Sequence, residues 1–281
     1  MSPATVAVID IGSNSIKLLV ASRDPAAPGR LLARYQRTEE TRIGTGITGS
    51  PPRLSAEAME RAFQAVRSLL DDATRHQADT LRLVATSAVR DAANREAFMA
   101  SIQAATGHPL AVLTGEEEAR GIARGIACDP FLPDGSGFLL FDLGGGSLEM
   151  LEFAGGSLRQ LASLQLGCVR VTERCLPDPS LPLTASQIET IRAIEAAASG
   201  KSLAESSPVL PVAALNALAM SLAALPLHQR RSVPGVPAAR ADVLPTALLT
   251  LVEIAGFARA AHFRHSFYNL RFGLAAQLLG L

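Results

Sequence analysis

The chain opens on apolar runs broken by short clusters of turn residues. Residues 5–11 (TVAVIDI) form a run of β-formers that predicts a buried strand. Gly12-Ser13-Asn14-Ser15 supplies turn chemistry and the strand pattern resumes from Ile16 to Val20, so residues 5–22 read as a hairpin. Residues 31–37 read as a third strand, 56–73 carry helical periodicity, 81–86 read as a strand and 92–105 as a helix. A strand at 109–114 and a helix over about 115–127 complete a first half. Residues 128–137 (CDPFLPDGSG) read as a linker. Strands return at 138–143, 148–153 and 158–166, with helices near 168–176, 185–199, 242–261 and 270–279. The Ala-, Pro- and Ser-rich stretch 200–240 yields no assignment. The order predicts an α/β protein divided at 1–127 and 128–281, with the last helix free to pack back on the first half.

One segment is written twice. Residues 6–16 (VAVIDIGSNSI) and 138–148 (FLLFDLGGGSL) align from Asp10 and Asp142 onward, each turn opening its half of the chain. Two ordinary hairpins sharing cheap turn residues would give the same text. Two related lobes facing each other across a cleft would also give it. Composition narrows the setting. With 48% hydrophobic and 19% charged residues over 281 positions, the chain can bury a sizeable core. Its 26 basic and 26 acidic residues cancel, so no global field would recruit nucleic acid. Three cysteines without a CxxC pair argue against a disulfide framework or a zinc site. The start lacks a signal-peptide pattern, and no run reaches the roughly 18 apolar residues of a membrane helix. A soluble cytoplasmic protein is expected.

The turns carry the candidate chemistry. Small residues in a tight turn let successive backbone N–H groups meet phosphate oxygens. Ser13, Asn14 and Ser15 add side-chain donors in the first turn, and Gly144, Gly145, Gly146 and Ser147 make a more open second one. Lys17 is one of only two lysines in the chain and lies on the strand leaving the first turn. Asp10 and Asp142 end their strands beside the turns, where a phosphate would repel them unless a hard cation such as Mg²⁺ lay between. Glu149 holds the place in the second hairpin that Lys17 holds in the first, as a metal ligand or a plain strand carboxylate.

In Thr114-Gly115-Glu116-Glu117-Glu118, a capping box uses Thr114 and Glu117, which leaves Glu118 as the spare carboxylate, able to orient or deprotonate a water. Thr86-Ser87-Ala88-Val89-Arg90 offers hydroxyls and a guanidinium fork, or simply a helix cap with a surface arginine. Gly167-Cys168-Val169-Arg170 marks a strand-to-helix passage whose N–H groups could also meet an anion. Cys168 reads as a packing residue, and the five histidines are scattered and receive no metal.

Taken together, DIGSNSIKLLV (10–20), TRIGTGI (41–47), ATSAVRDAANREAF (85–98), LTGEEEARGI (113–122), FDLGGGSLEM (141–150) and LQLGCVRVTE (164–173) resemble the exopolyphosphatase / guanosine pentaphosphate phosphohydrolase family of the actin–hexokinase–chaperone ATPase superfamily. The resemblance implies two ribonuclease-H-like lobes with an interlobe cleft. It also implies Mg²⁺-dependent hydrolysis of terminal phosphoanhydride bonds in inorganic polyphosphate or guanosine pentaphosphate. By position, Glu118 matches the family's general base, Asp142 and Glu149 its acidic residues near metal and water, and Arg90 an arginine in phosphate contact. It is consistent with a homodimer.

Two departures qualify it. The family's Gly-Gly-Thr loop falls on VAALNALAM (212–220), which has no glycine, and Gly-Leu-Arg-x-Gly is met only in part by Asn269-Leu270-Arg271-Phe272-Gly273. The chain also ends after two lobes where longer members add a helical region, so short polyphosphate is the expected substrate. A non-hydrolytic sensor of polyphosphate or of guanosine tetra- or pentaphosphate, and a guanosine pentaphosphate 5′-phosphohydrolase, stand as alternatives.

Overall fold

The computed structural model describes residues 4–27, 29–130, 137–189, 191 and 209–281. Most of the linker reading over 128–137 and of the helix reading over 185–199, together with Lys201, lies outside these residues. The chain divides into two compact units, one of Met1–Leu132, Leu161–Ser163 and Ser266–Leu281 and one of Pro133–Gln160 and Leu164–His265.

The first unit is built on a five-stranded sheet. Its strands are β1 (Thr5–Ile11), β2 (Ile16–Arg23), β3 (Leu31–Glu39), β4 (Thr80–Ala85) and β5 (Leu110–Val112), in the order β3-β2-β1-β4-β5. β1 pairs antiparallel with β2 and parallel with β4. This is why TVAVIDI reads as a continuous apolar run, since a central strand is buried on both faces.

One face belongs to a core in which Ile9, Ile11, Ile16, Leu18 and Val20 meet α1 (Ala56–Arg75) and the buried Phe98 and Ile102. The predicted helix at 92–105 is α3 (Arg95–Thr106), and a short helix that was not predicted, α2 (Ser87–Asp91), precedes it. Strand alternation sends Asp10 and Lys17 to the opposite face. That face is covered by the last helix. From it, Arg271 Nη1 donates to the Leu18 carbonyl at 2.9 Å, and Nη2 lies 3.5 Å from Gln36 Oε1.

The last helix can lie so close because glycines line its crossing with α4 (Gly115–Ala127). A Cβ at Gly125 would overlap the Asn269 carbonyl, and one at Gly273 would overlap the Gly121 carbonyl.

The second unit carries an antiparallel sheet in the order β6-β7-β8, of Phe138–Leu143, Leu148–Ala154 and Ser157–Leu164. Gly155 and Gly156 join the last two strands with φ of 58° and 71°, the left-handed pair that a two-residue hairpin turn requires. α5 (Cys168–Cys175) follows.

The unassigned 200–240 stretch contains α6 (Val212–Ala223) and α7 (Leu227–Arg230), so the glycine-free VAALNALAM is helix. Arg230 is fully buried, and its guanidinium donates to the carbonyls of Leu222, Leu225, Pro179 and Leu181 at 2.7–3.0 Å. Burial lowers its pKa, and the four carbonyls satisfy the donors it takes out of water. α8 (Leu244–Ala258) packs on α5 and α6, and α9 is the last helix, Leu270–Leu279. Among the described residues no helix is long and apolar enough to cross a membrane.

Candidate active site

The written repeat is also a geometric one. In the first hairpin Gly12 N–H donates to the Ser15 carbonyl at 3.1 Å, and in the second Gly144 N–H donates to the Ser147 carbonyl at 2.9 Å. A Cβ at Gly12 or Gly144 would press on that same carbonyl, at 3.1 and 3.3 Å.

Each turn is braced from behind. Ser13 C=O accepts from Gly44 N–H and Asn14 C=O from Arg42 N–H, both at 2.8 Å. Gly144 C=O accepts from Cys168 N–H at 3.0 Å and Gly145 C=O from Val169 N–H at 2.9 Å. Gly146 C=O accepts from Arg170 Nε at 2.9 Å. In a trans peptide the carbonyl and the next N–H point opposite ways. Turning these oxygens back therefore turns the N–H groups of Asn14, Gly145, Gly146 and Ser147 forward, away from the bracing segments. Successive N–H groups on one side of a turn are an anion-binding shape.

This corrects the expectation for Gly167–Arg170. Its N–H groups and Arg170 Nε are spent on the second turn's carbonyls, so these donors shape that turn and do not themselves meet the anion. Gly167 packs so tightly that a Cβ there would overlap the Gly145–Gly146 peptide. Burial pushes the Cys168 thiol up to about 11, so it stays protonated and is no nucleophile near neutral pH.

Register places the charged residues. Asp10 lies opposite Lys17, and Asp142 lies opposite Glu149. Glu149 is 1% exposed. Directly opposed like charges destabilise a sheet, so a cation between Asp142 and Glu149 would relieve them. Mg²⁺ is commonly held by one or two carboxylates, completing its shell with water and phosphate oxygens, and this oxygen pair fits it. Among the described residues no three His, Cys, Asp or Glu gather into a metal cage. Asp10 sits in more cationic surroundings. Burial lowers the pKa of Arg271, while the charge of Asp10 holds it up.

The three acids that open α4 have separated tasks. Glu116 pairs with Arg120 on the surface at 2.6 Å. Glu117 closes the capping box, its carboxylate accepting from Thr114 N–H at 2.8 Å, and that backbone bond leads the causes that lower its pKa. Glu118 is buried, and its Oε2 accepts from Arg90 Nη1 at 2.8 Å. Arg90 Nη1 also reaches the Leu113 carbonyl at 2.9 Å. Thr86 makes no side-chain cap bond and Arg90 is not a free surface arginine, so the plain reading of that segment does not hold.

The structure thus brings Arg90 to Glu118, Asp10 to Lys17 and Asp142 to Glu149. It adds Arg271, met in the sequence only within the partial Gly-Leu-Arg-x-Gly match and now near Asp10, and Thr41, both of whose neighbours bond to Asn14. The signal for Arg271 was an arginine inside an otherwise apolar helix. Thr41 stood only within the TRIGTGI resemblance.

A five-stranded sheet with three antiparallel and two parallel strands, and a second hairpin built like the first, define an α/β protein of the ribonuclease-H-like, actin-like ATPase class. Within that class the chain belongs to the Ppx/GppA phosphatase family, whose model matches residues 19–207 and so takes in Arg90, Glu118 and the second turn. The chain is 38% identical over 200 residues to exopolyphosphatase 2 of Mycobacterium tuberculosis, an alignment covering 68% of this chain and 60% of the relative. It therefore spans about three fifths of the length of the curated relatives it matches. An exopolyphosphatase from Cytophaga hutchinsonii superposes with a TM-score of 0.85 at 20% identity, covering 98% of each chain. A Ppx/GppA family member from Aquifex aeolicus superposes with a TM-score of 0.76 at 22% identity, covering 99% of this chain and 98% of that one. These two likenesses show the fold.

Proposed function

We propose that this protein hydrolyses terminal phosphoanhydride bonds of inorganic polyphosphate with Mg²⁺, short chains being favoured. The observation that carries the reading is one turn geometry built twice, each with its carbonyls braced backward and an aspartate at its base. In this reading Ser13, Asn14, Ser15, Lys17 and Arg90, with the N–H groups of the first turn, bind phosphate, and so do Gly144, Gly145, Gly146 and Ser147 in the second turn. Asp142 and Glu149 would hold the metal. When bound, Mg²⁺ supplies neutralising charge for the phosphate oxygens.

Glu118 accepts a proton from the water whose oxygen bonds to the terminal phosphorus. The bridging P–O bond breaks, and the shortened chain leaves with that oxygen. Such transfers ask for positioning and charge neutralisation more than for covalent help. The family and the curated exopolyphosphatase relative support this substrate class. The reading places this work in the cytoplasm, with no nucleic-acid or membrane partner, and the balanced charge and three cysteines without a CxxC pair accord with it.

The test is phosphate release from tripolyphosphate, long-chain polyphosphate and guanosine pentaphosphate. Release fastest from tripolyphosphate is the expected result, and release from guanosine pentaphosphate alone would replace this reading with a nucleotide phosphohydrolase. Helix α6, in place of a glycine loop, is the observation that favours a second reading, a non-hydrolytic sensor. Tight binding of these ligands with no release from any of them would establish it.

The metal assignment has its own test. Glu149→Gln is expected to raise the Mg²⁺ needed for half-maximal activity about ten-fold or more. An unchanged Mg²⁺ titration would remove Glu149 from the metal site.

A further inference from the structure

Three polar atoms buried around the first turn have no hydrogen-bond partner among the described residues: Ser13 Oγ, Asn14 Oδ1 and Thr41 Oγ1. Their residues are 5%, 8% and 6% exposed. Buried polar groups are nearly always paired, so three orphans at one turn mark a place shaped for something besides folding.

Thr41 is held there from both sides. Asn14 Nδ2 donates to Glu40 Oε2 at 2.8 Å, and Arg42 N–H donates to the Asn14 carbonyl at 2.8 Å, so both neighbours of Thr41 are fastened to Asn14. The Thr41 carbonyl is engaged elsewhere, accepting from Arg61 Nε on α1 at 2.9 Å. Arg42 takes a left-handed φ of 51°, a strained conformation for a side-chain-bearing residue. Gly44 then lies against Ser13 so closely that a Cβ there would come within 2.8 Å of the Ser13 Cβ. The segment after β3 is thus fastened along the first turn on both sides of Thr41.

We propose that Thr41 is a substrate-contact residue, its hydroxyl donating with that of Ser13 to phosphate oxygens held at the first turn. Asn14 Oδ1 can only accept, and suits a water bound to the same phosphate. The inference rests on the polyphosphate reading of the first turn and extends the site to an element outside both hairpins.

The experiment is titration calorimetry with tripolyphosphate and Mg²⁺, in the Glu118→Gln background so that ligand is not consumed, with thermal melts of the ligand-free proteins. Adding Thr41→Val is expected to weaken binding about ten-fold, as for a lost hydrogen bond to a charged group. Thr41→Ser, which keeps the hydroxyl, should stay within about three-fold of the parent. Because the hydroxyl makes no hydrogen bond within the described protein, Thr41→Val should melt no lower than its parent.

Unchanged binding in Thr41→Val overturns the assignment and leaves the hydrolase reading intact. So does weakened binding that comes with a lower melt and is not restored by serine. Intact tripolyphosphate binding in a wild type that releases no phosphate overturns the hydrolase reading alone. A parent that binds no tripolyphosphate overturns both.

Discussion

Glu118→Gln is expected to release phosphate from tripolyphosphate roughly 100- to 10 000-fold more slowly than the wild type, the usual range for removing a general base. The substitution is chosen to change as little else as possible. A glutamine carbonyl can still accept from Arg90 Nη1, which now donates to Glu118 Oε2 at 2.8 Å, and Arg90 keeps its bond to the Leu113 carbonyl. Glu118 lies inside α4, whose start is held by Thr114 and Glu117, so the helix does not depend on the lost charge. The melting temperature should therefore move little while turnover collapses. A Glu118→Gln protein retaining half or more of wild-type activity would show that another group takes the proton. Alanine would be a poorer choice, because it leaves the Arg90 guanidinium facing a partly buried gap.

Gly167→Ala should be nearly as damaging, for a different reason. The added methyl would overlap the Gly145–Gly146 peptide, so backbone must move on one side or the other. The segment it would push apart donates from Cys168 and Val169 to the carbonyls of Gly144 and Gly145, and those bonds aim the turn's N–H groups. A displacement of about 1 Å at a site that works by positioning costs roughly 100-fold in rate. Phosphate release is expected to fall at least that far, with stability reduced by about 1–3 kcal/mol for the overpacking.

Gly156→Ala is the control. Its φ of 71° also favours glycine, but nothing lies within 4 Å of its Cβ position. It should lose about 1 kcal/mol of stability and none of the activity. Equal activity losses in the two variants would mean that general destabilisation, not the shape of the second turn, explains the effect.

Legibility differed between elements for identifiable reasons. The hairpin at 5–22 and the helices at 56–73 and 115–127 stood out because a strand buried on both faces, or an amphipathic helix, writes its period into local sequence. The short helix at 87–91, and the break between it and Arg95, did not. The run from Ser87 to Thr106 stays compatible with helix, and the break comes from tertiary anchoring of Asn94, whose side chain bonds both the N–H and the C=O of Leu54. The helix at 212–223 was missed because an apolar run with no periodic signal sits in a stretch punctuated by Pro and Ser on both sides, which reads as loop.

The same division runs through the candidate site. Local chemistry alone picked out Glu118, since a capping box visibly consumed Glu117 and made Glu118 the spare carboxylate. It also paired the two turns, because a repeated Asp-x-Gly is text. The partner of Glu118 could not be read from text. Arg90 is 28 positions away, and only the packing of α2 against the start of α4 makes them neighbours.

The role of Gly167–Arg170 was likewise invisible. A run of N–H groups at a helix start looks the same whether it faces a ligand or another loop's carbonyls, and close packing against Gly145 decided the matter. Thr41 depended wholly on tertiary structure, because a hydroxyl becomes informative only when folding buries it without a partner. The sequence by itself determined the α/β class, the duplicated turn and the spare carboxylate, all carried by short-range periodicity and turn chemistry. The tertiary structure decided which groups are spent on one another and which remain for a ligand, because hydrogen-bond saturation belongs to residues distant along the chain.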